Sequence, residues 1–186
     1  MKTGGHLPPI VETPAPANPG DRAWQGQWHS EADTERFAQR LAANPAILNA
    51  TIRLQGDLGA GKTTLVRHVL RALGVSGRIK SPTYAVVEPH TSSACALLPA
   101  GQTLQIWHFD FYRFTDPREW EDAGFRELFA SPGLKLVEWP ENAATLMGAA
   151  DATIELQADG VSETSRTVRF TPLTPAGHQL LAALQA

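Results

Sequence analysis

A chain of 186 residues, 42% hydrophobic and 19% charged, has the balance of a globular protein with one sizeable core. Its formal net charge of −3 argues against a broad basic face for direct nucleic-acid binding, and its only cysteine, Cys95, excludes an internal disulfide or a cysteine-rich zinc site. No stretch approaches the roughly twenty apolar residues of a membrane span, and no basic start precedes an apolar run, so a cytoplasmic protein is expected.

In chain order, residues 1–22 are broken by Pro8, Pro9, Pro14, Pro16 and Pro19 and carry little to bury, which predicts a disordered tail ahead of one domain over 23–186. Trp24–Trp28 alternates large with small or polar residues and reads as a first strand. Ser30, with Asp33 three residues on, opens a helix that buries Phe37 and Leu41 and stops at Asn44-Pro45. Ala50–Gln55 alternates strictly, so this strand is expected to be apolar on one face only. That points to a mixed sheet, or to partial cover at this place, because a strand inside a fully covered parallel sheet is apolar on both faces. A helix over Lys62–Leu73 follows, with Leu65, Val66, Val69 and Leu70 in one stripe and Gly74 able to cap it. Thr83–Val87 reads as a strand, Thr91–Gly101 as a loop carrying Cys95, and Leu104–Asp110 as a strand ending in an acid. Asp116-Pro117 opens a helix. Leu134–Trp139 is a strand that passes through Glu138, Ala152–Leu156 and Arg166–Thr171 pair across Asp159-Gly160, and His178–Leu184 closes the chain as a short helix.

Between the second strand and the helix lies Gly56-Asp57-Leu58-Gly59-Ala60-Gly61-Lys62-Thr63, which matches the phosphate-binding Walker A pattern at every fixed position. Glycines let backbone amides approach phosphate oxygens, the helix N-terminus adds its positive dipole end, and Lys62 reaches the β- and γ-phosphates. Thr63 offers its hydroxyl to Mg²⁺, and Thr64 can reach the α-phosphate. A strand before the loop and an amphipathic helix after it supply the context the motif requires, so ATP with Mg²⁺ is the expected ligand. The expected fold is α/β, a P-loop NTPase-like domain with a mixed, largely parallel sheet flanked by helices.

Hydrolysis also needs groups that hold the metal and orient water. Asp110 and Glu138 each end an apolar strand, and ligands of open α/β sheets gather at the carboxyl ends of strands. Spacing alone leaves open which acid meets the metal. Ser81-Pro82-Thr83 fits either a switch segment sensing the γ-phosphate or a simple turn. By default, Trp139 reads as a core residue, Arg113 as a surface residue, and the histidines, His108 among them, as structural.

Four blocks in order resemble the bacterial TsaE family: the loop through Thr64, Lys80-Ser81-Pro82-Thr83-Tyr84, His108-Phe109-Asp110-Phe111-Tyr112-Arg113, and Val137-Glu138-Trp139-Pro140. The resemblance implies an ATPase that acts with the TsaB–TsaD complex and the TsaC product in making threonylcarbamoyladenosine on tRNA. It would reset that machine rather than transfer the group, and it would meet tRNA only indirectly. By similarity, Lys62 contacts phosphate, Thr63, Glu138 and Asp110 serve the Mg²⁺ site, and Trp139 lies near the nucleotide. Thr34 falls where the family approaches adenine, and residues Asp57, Leu58, Gly59, Ala60, Gly61, Lys62, Thr63 and Thr64 form the cradle. The segment Thr91–Gln102 is longer than the matching family loop, and the tail is additional. Two other readings of the same loop are a P-loop kinase of a small molecule and a scaffold that binds ATP without hydrolysing it. No Asn-Lys-x-Asp guanine-reading motif is present.

Overall fold

The computed structural model describes residues 23–160, 162 and 164–185, so the tail over residues 1–22 lies outside the described residues. Seven strands form one mixed sheet: β1 (Trp24–Trp28), β2 (Thr51–Gln55), β3 (Val87–Ser92), β4 (Leu104–Asp110), β5 (Leu134–Glu138), β6 (Ala152–Ala158) and β7 (Arg166–Pro172). Their order is β1-β7-β6-β2-β5-β4-β3. The central strands β6, β2, β5 and β4 run parallel, while β7, β1 and β3 add antiparallel edges.

One face is covered by the helices α1 (Glu31–Ala42), α2 (Lys62–Ala72) and α5 (Pro175–Gln185). Ile52 and Leu54 of β2, Leu134 and Leu136 of β5, and Ala152, Ile154 and Leu156 of β6 point into that core with Leu41, Leu65, Leu70 and Leu180. The Asp33 carboxylate accepts the Ser30 amide at 3.0 Å and the His29 amide at 2.9 Å, which fixes the start of α1. At its other end, Arg40 and Asn44 bond carbonyls of α5.

The opposite face is covered only in part. Short helices α3 (Pro117–Asp122) and α4 (Phe125–Ala130) enclose a second core of Phe109, Phe111, Trp120, Phe125 and Val137. Phe109 and Phe111 stack at 5.7 Å, and Trp120 meets Phe125 edge-on at 5.6 Å. Beyond β5 this face carries the polar residues Gln25, Glu155, Gln157, Thr167 and Arg169. β2 lies at the border of the cover: Arg53 donates to the Gly148 carbonyl at 3.0 Å, and Thr51 and Gln55 are half-buried. The alternation of this strand records that border.

Two expectations need correction. Residues 83–85 form a turn rather than a strand, and β3 begins at Val87, because Val86 at φ +64° breaks the extended run. β3 then continues through Pro89 and takes in Thr91 and Ser92, which the sequence assigns to a loop. Pro89 is tolerated because β3 is the edge of the sheet. A helix does open at Pro117, as expected; it is short and is followed by a separate helix, α4, whose N-cap is Gly124 at φ +67°.

Candidate functional site

The sheet order sets the ends of β2, β5 and β4 side by side. β2 runs into the glycine loop, and the ends of the next two strands are in register, Asp110 opposite Glu138. These ends, α2 and the turn at residues 83–85 enclose a cleft of about 580 Å³. Leu58, Gly59, Ala60, Gly61, Lys62, Thr63 and Thr64 line one wall; Asp110, Glu138 and Trp139 line the other.

Two glycines shape the loop. Gly56 has φ +138°, and a Cβ there would lie 2.2 Å from the Leu156 carbonyl of β6, so only glycine lets the loop leave the sheet so close to its neighbour. Gly61 has φ +103°, and a Cβ there would meet no protein atom within 4 Å. Gly61 lines the cleft and also a smaller adjoining cavity, at the N-terminus of α2, where amides and the helix dipole favour an anion.

Lys62 is buried, at 4% exposure. Its Nζ donates to the carbonyls of Gly56 at 2.5 Å and Asp57 at 2.9 Å, and it stands 3.9 Å from the centroid of the Trp139 ring. Burial pushes its pKa below the ordinary 10.5, while Glu138, Glu141, Asp110 and Asp57 pull it back. Thr63 Oγ1 lies 2.9 Å from both carboxylate oxygens of Glu138. Glu138 is buried at 2% and also takes a 2.7 Å bond from His108 Nε2, itself fully buried. Where Glu138 is a carboxylate, which can only accept, the donor in this bond is His108 Nε2.

Asp110 is buried too, and its Oδ2 accepts Ser81 Oγ at 2.8 Å and Thr83 Oγ1 at 2.6 Å. Its Oδ1 accepts the Tyr112 amide at 3.1 Å. The Ser81-Pro82-Thr83 segment, which leads into the turn at residues 83–85, is thus fastened to the second acid. Val86, at the end of that segment, and Trp139 are the non-glycine residues with positive φ among the described residues. Trp139 lines the cleft, and the Val86 carbonyl accepts the Asp110 amide at 2.8 Å, so both positive-φ residues adjoin the acids, where backbone strain tends to collect.

Of the candidate residues, all but two line this cleft. Thr34, buried on α1, lines an adjoining cavity of about 190 Å³ with Trp28, Gly61, Thr64 and Arg166. Asp57 is exposed and lines neither cavity; it contributes its carbonyl to Lys62. Trp139, read by default as a core residue, is half-buried at the cleft wall. Arg113 is exposed, as expected, but also lines the cleft, its guanidinium 4.4 Å from the centroid of the Tyr84 ring. Sequence reasoning missed Arg166, which donates to the loop carbonyls of Ala60 at 3.0 Å and Gly59 at 3.2 Å. No local motif marks an arginine that lies about a hundred residues from the loop it touches.

Comparison with known proteins finds likeness both in sequence and in architecture. The family model described as "Threonylcarbamoyl adenosine biosynthesis protein TsaE" covers residues 28–168. The chain belongs to the TsaE family. A Haemophilus influenzae protein named tRNA threonylcarbamoyladenosine biosynthesis protein TsaE is 36% identical over 152 residues, spanning 80% of this chain and 87% of that protein. A Bacillus subtilis protein of the same name is 36% identical over 116 residues, 62% of this chain and 66% of that one. The crystal structure of Bacillus subtilis YdiB superposes with a TM-score of 0.67 at 21% identity, covering 89% of this chain and 97% of that one, a likeness of fold. Among the described residues, no helix is long and apolar enough to cross a membrane.

Proposed function

We propose that this TsaE-family chain takes part in threonylcarbamoyladenosine biosynthesis as a Mg²⁺-dependent ATPase, acting with the TsaB–TsaD complex and meeting tRNA only through it. The observation that carries the ATPase reading is the Thr63 hydroxyl set against Glu138 at the mouth of the glycine loop, beside the buried Lys62.

The residues fit the ligand. A hydroxyl and two carboxylates make a hard oxygen set of the kind that holds Mg²⁺ jointly with substrate phosphates. The open space beside Gly61 is what a phosphate would fill. Thr63 and Glu138 would hold the metal, with Asp110 completing its surroundings. Bound there, Mg²⁺ would neutralise charge on the phosphates. Lys62 gives the phosphates a buried cation, and residues Leu58, Gly59, Ala60 and Gly61 line their path. Thr64 would lie near the α-phosphate and Thr34 toward the adenine, and Trp139 lines the wall beside Lys62. Ser81 and Thr83, tied to Asp110, would carry the state of the acid to the exposed Tyr84 at the cleft rim, a route from nucleotide to partner.

The test is ATP turnover by the full chain, alone and with purified TsaB–TsaD. Slow release of phosphate alone and faster release with the pair is expected. Lys62→Ala is expected to remain folded and lose at least about 99% of turnover. Normal turnover from a folded Lys62→Ala variant would refute the assignment. Partner binding that needs ATP yet leaves it intact would instead point to a scaffold, and phosphate appearing on a small acceptor to a kinase.

A further inference from the structure

The β6–β7 hairpin presses on the glycine loop at two places. The Leu156 carbonyl packs against Gly56, and Arg166, the first residue of β7, reaches the loop at its other end. Arg166 Nε donates to the Ala60 carbonyl at 3.0 Å and Nη2 to the Gly59 carbonyl at 3.2 Å, while Nη1 bonds the Ser165 carbonyl at 2.8 Å. Ser165 is 1% exposed and is itself bonded to Asp159 across the hairpin turn. A planar guanidinium thus bridges two successive loop peptides from a braced support.

The consequence follows from peptide geometry. In a trans peptide the carbonyl and the next amide point in opposite directions, and no cis bond occurs among the described residues. Holding the Ala60 carbonyl against Arg166 turns the Gly61 N–H the other way. Gly61 lines both the smaller cavity and the main cleft, whereas Arg166 lines only the smaller one, so an amide turned away from Arg166 is expected to face the main cleft. The preceding peptide is held at both ends, because the Ala60 amide donates to the Asp57 carbonyl at 3.1 Å. Among the described residues, the Gly61 amide has no hydrogen-bond acceptor in the protein, which leaves it available to a ligand.

We infer that Arg166 is a positioning residue that holds the Gly59–Gly61 peptides so that the Gly61 amide is aimed at a bound phosphate. The guanidinium contributes from behind the loop, through the peptides, and need not touch the nucleotide. This inference rests on the proposed nucleotide reading and deepens it by making the C-terminal hairpin part of the phosphate cradle.

Calorimetric titration of Mg-ATP and Mg-ADP into full-length wild type, Arg166→Ala and Arg166→Lys tests it, with ligand-free thermal unfolding as the folding control. Arg166→Ala is expected to bind both nucleotides about tenfold more weakly. Arg166→Lys, which keeps the charge and one donor but loses the fork, is expected to fall between the two. Heteronuclear NMR gives a readout that plain destabilisation would not move. The Gly61 amide resonance shifts on Mg-ADP addition in the wild type and shifts less in the folded variants. If Arg166→Ala does not fold, the lysine variant decides. Wild-type affinity and a wild-type Gly61 shift in a folded variant would overturn the inference while leaving the nucleotide reading intact. A wild type that binds no nucleotide would overturn both.

Discussion

At the scale of single residues, the acids are held by neighbours whose removal has a foreseeable cost. Glu138 is buried among Thr63, His108 and the end of its own strand, and His108 supplies its only imidazole bond. Removing one partner of a buried, hydrogen-bonded acid leaves the other uncompensated, at about 3 kcal/mol. His108→Ala is therefore expected to lower the melting temperature by roughly 6–12 °C in scanning calorimetry. Turnover should fall with it, because the Glu138 carboxylate loses one of its two side-chain partners, leaving only Thr63 among the described residues. His108→Gln, whose amide can still donate to Glu138, is expected to recover part of both losses. An alanine variant as stable as the wild type would show that the 2.7 Å contact contributes nothing. His108 thus has the structural role expected of the histidines, but its partner is one of the candidate acids, which no metal-ligand spacing could reveal.

At the scale of elements, the edge hairpin of β3 and β4 holds the clearest pH dependence. His90 pairs in register with Ile106, on the face covered by α1 and α2, with Glu88 and His108 as its titratable neighbours, and among the described residues its Nε2 is buried without a hydrogen-bond partner. Burial, then the repulsion of His108, lowers its pKa below the ordinary 6.5, with Glu88 opposing. The sign follows from linkage. Between the lowered folded value and 6.5 the unfolded chain binds more protons, so this contribution is fully present above 6.5 and is lost as pH falls toward the folded value. Urea midpoints measured between about pH 7.5 and pH 5.5 are expected to fall more steeply for the wild type than for His90→Asn. Equal slopes would remove His90 from the account. The same hairpin explains the misplaced strand boundary. Threonine and valine at 83–87 favour a strand by composition, yet Thr83 is drawn to Asp110 and Val86 is held at positive φ, so the ladder starts only at Val87.

At the scale of the whole molecule, the sheet brings residues from distant parts of the chain to one line. The loop after β2, Glu138 after β5 and Asp110 after β4 become neighbours because the strand order places β5 between the other two. If the assembled site serves the pathway of the family, depleting this protein is expected to lower threonylcarbamoyladenosine in bulk tRNA severalfold by nucleoside mass spectrometry. Unchanged nucleoside levels would separate this chain's role from that of its family. Much of this was legible in the sequence. The glycine loop, its flanking strand and helix, and both acids at strand ends depend on local chemistry: backbone freedom at glycine, apolar periodicity, and the position of a charge after an apolar run. β1 and β4 have the predicted bounds for the same reason, and the one-sided alternation of β2 already implied incomplete cover. The tertiary structure alone decided the rest. It paired Glu138 with Thr63 and His108, fastened Ser81 and Thr83 to Asp110, and brought Arg166 behind the glycine loop. Those contacts join residues about thirty to a hundred positions apart, and no periodicity or spacing encodes which strand end will lie beside which; only the packing of two cores on one twisted sheet does.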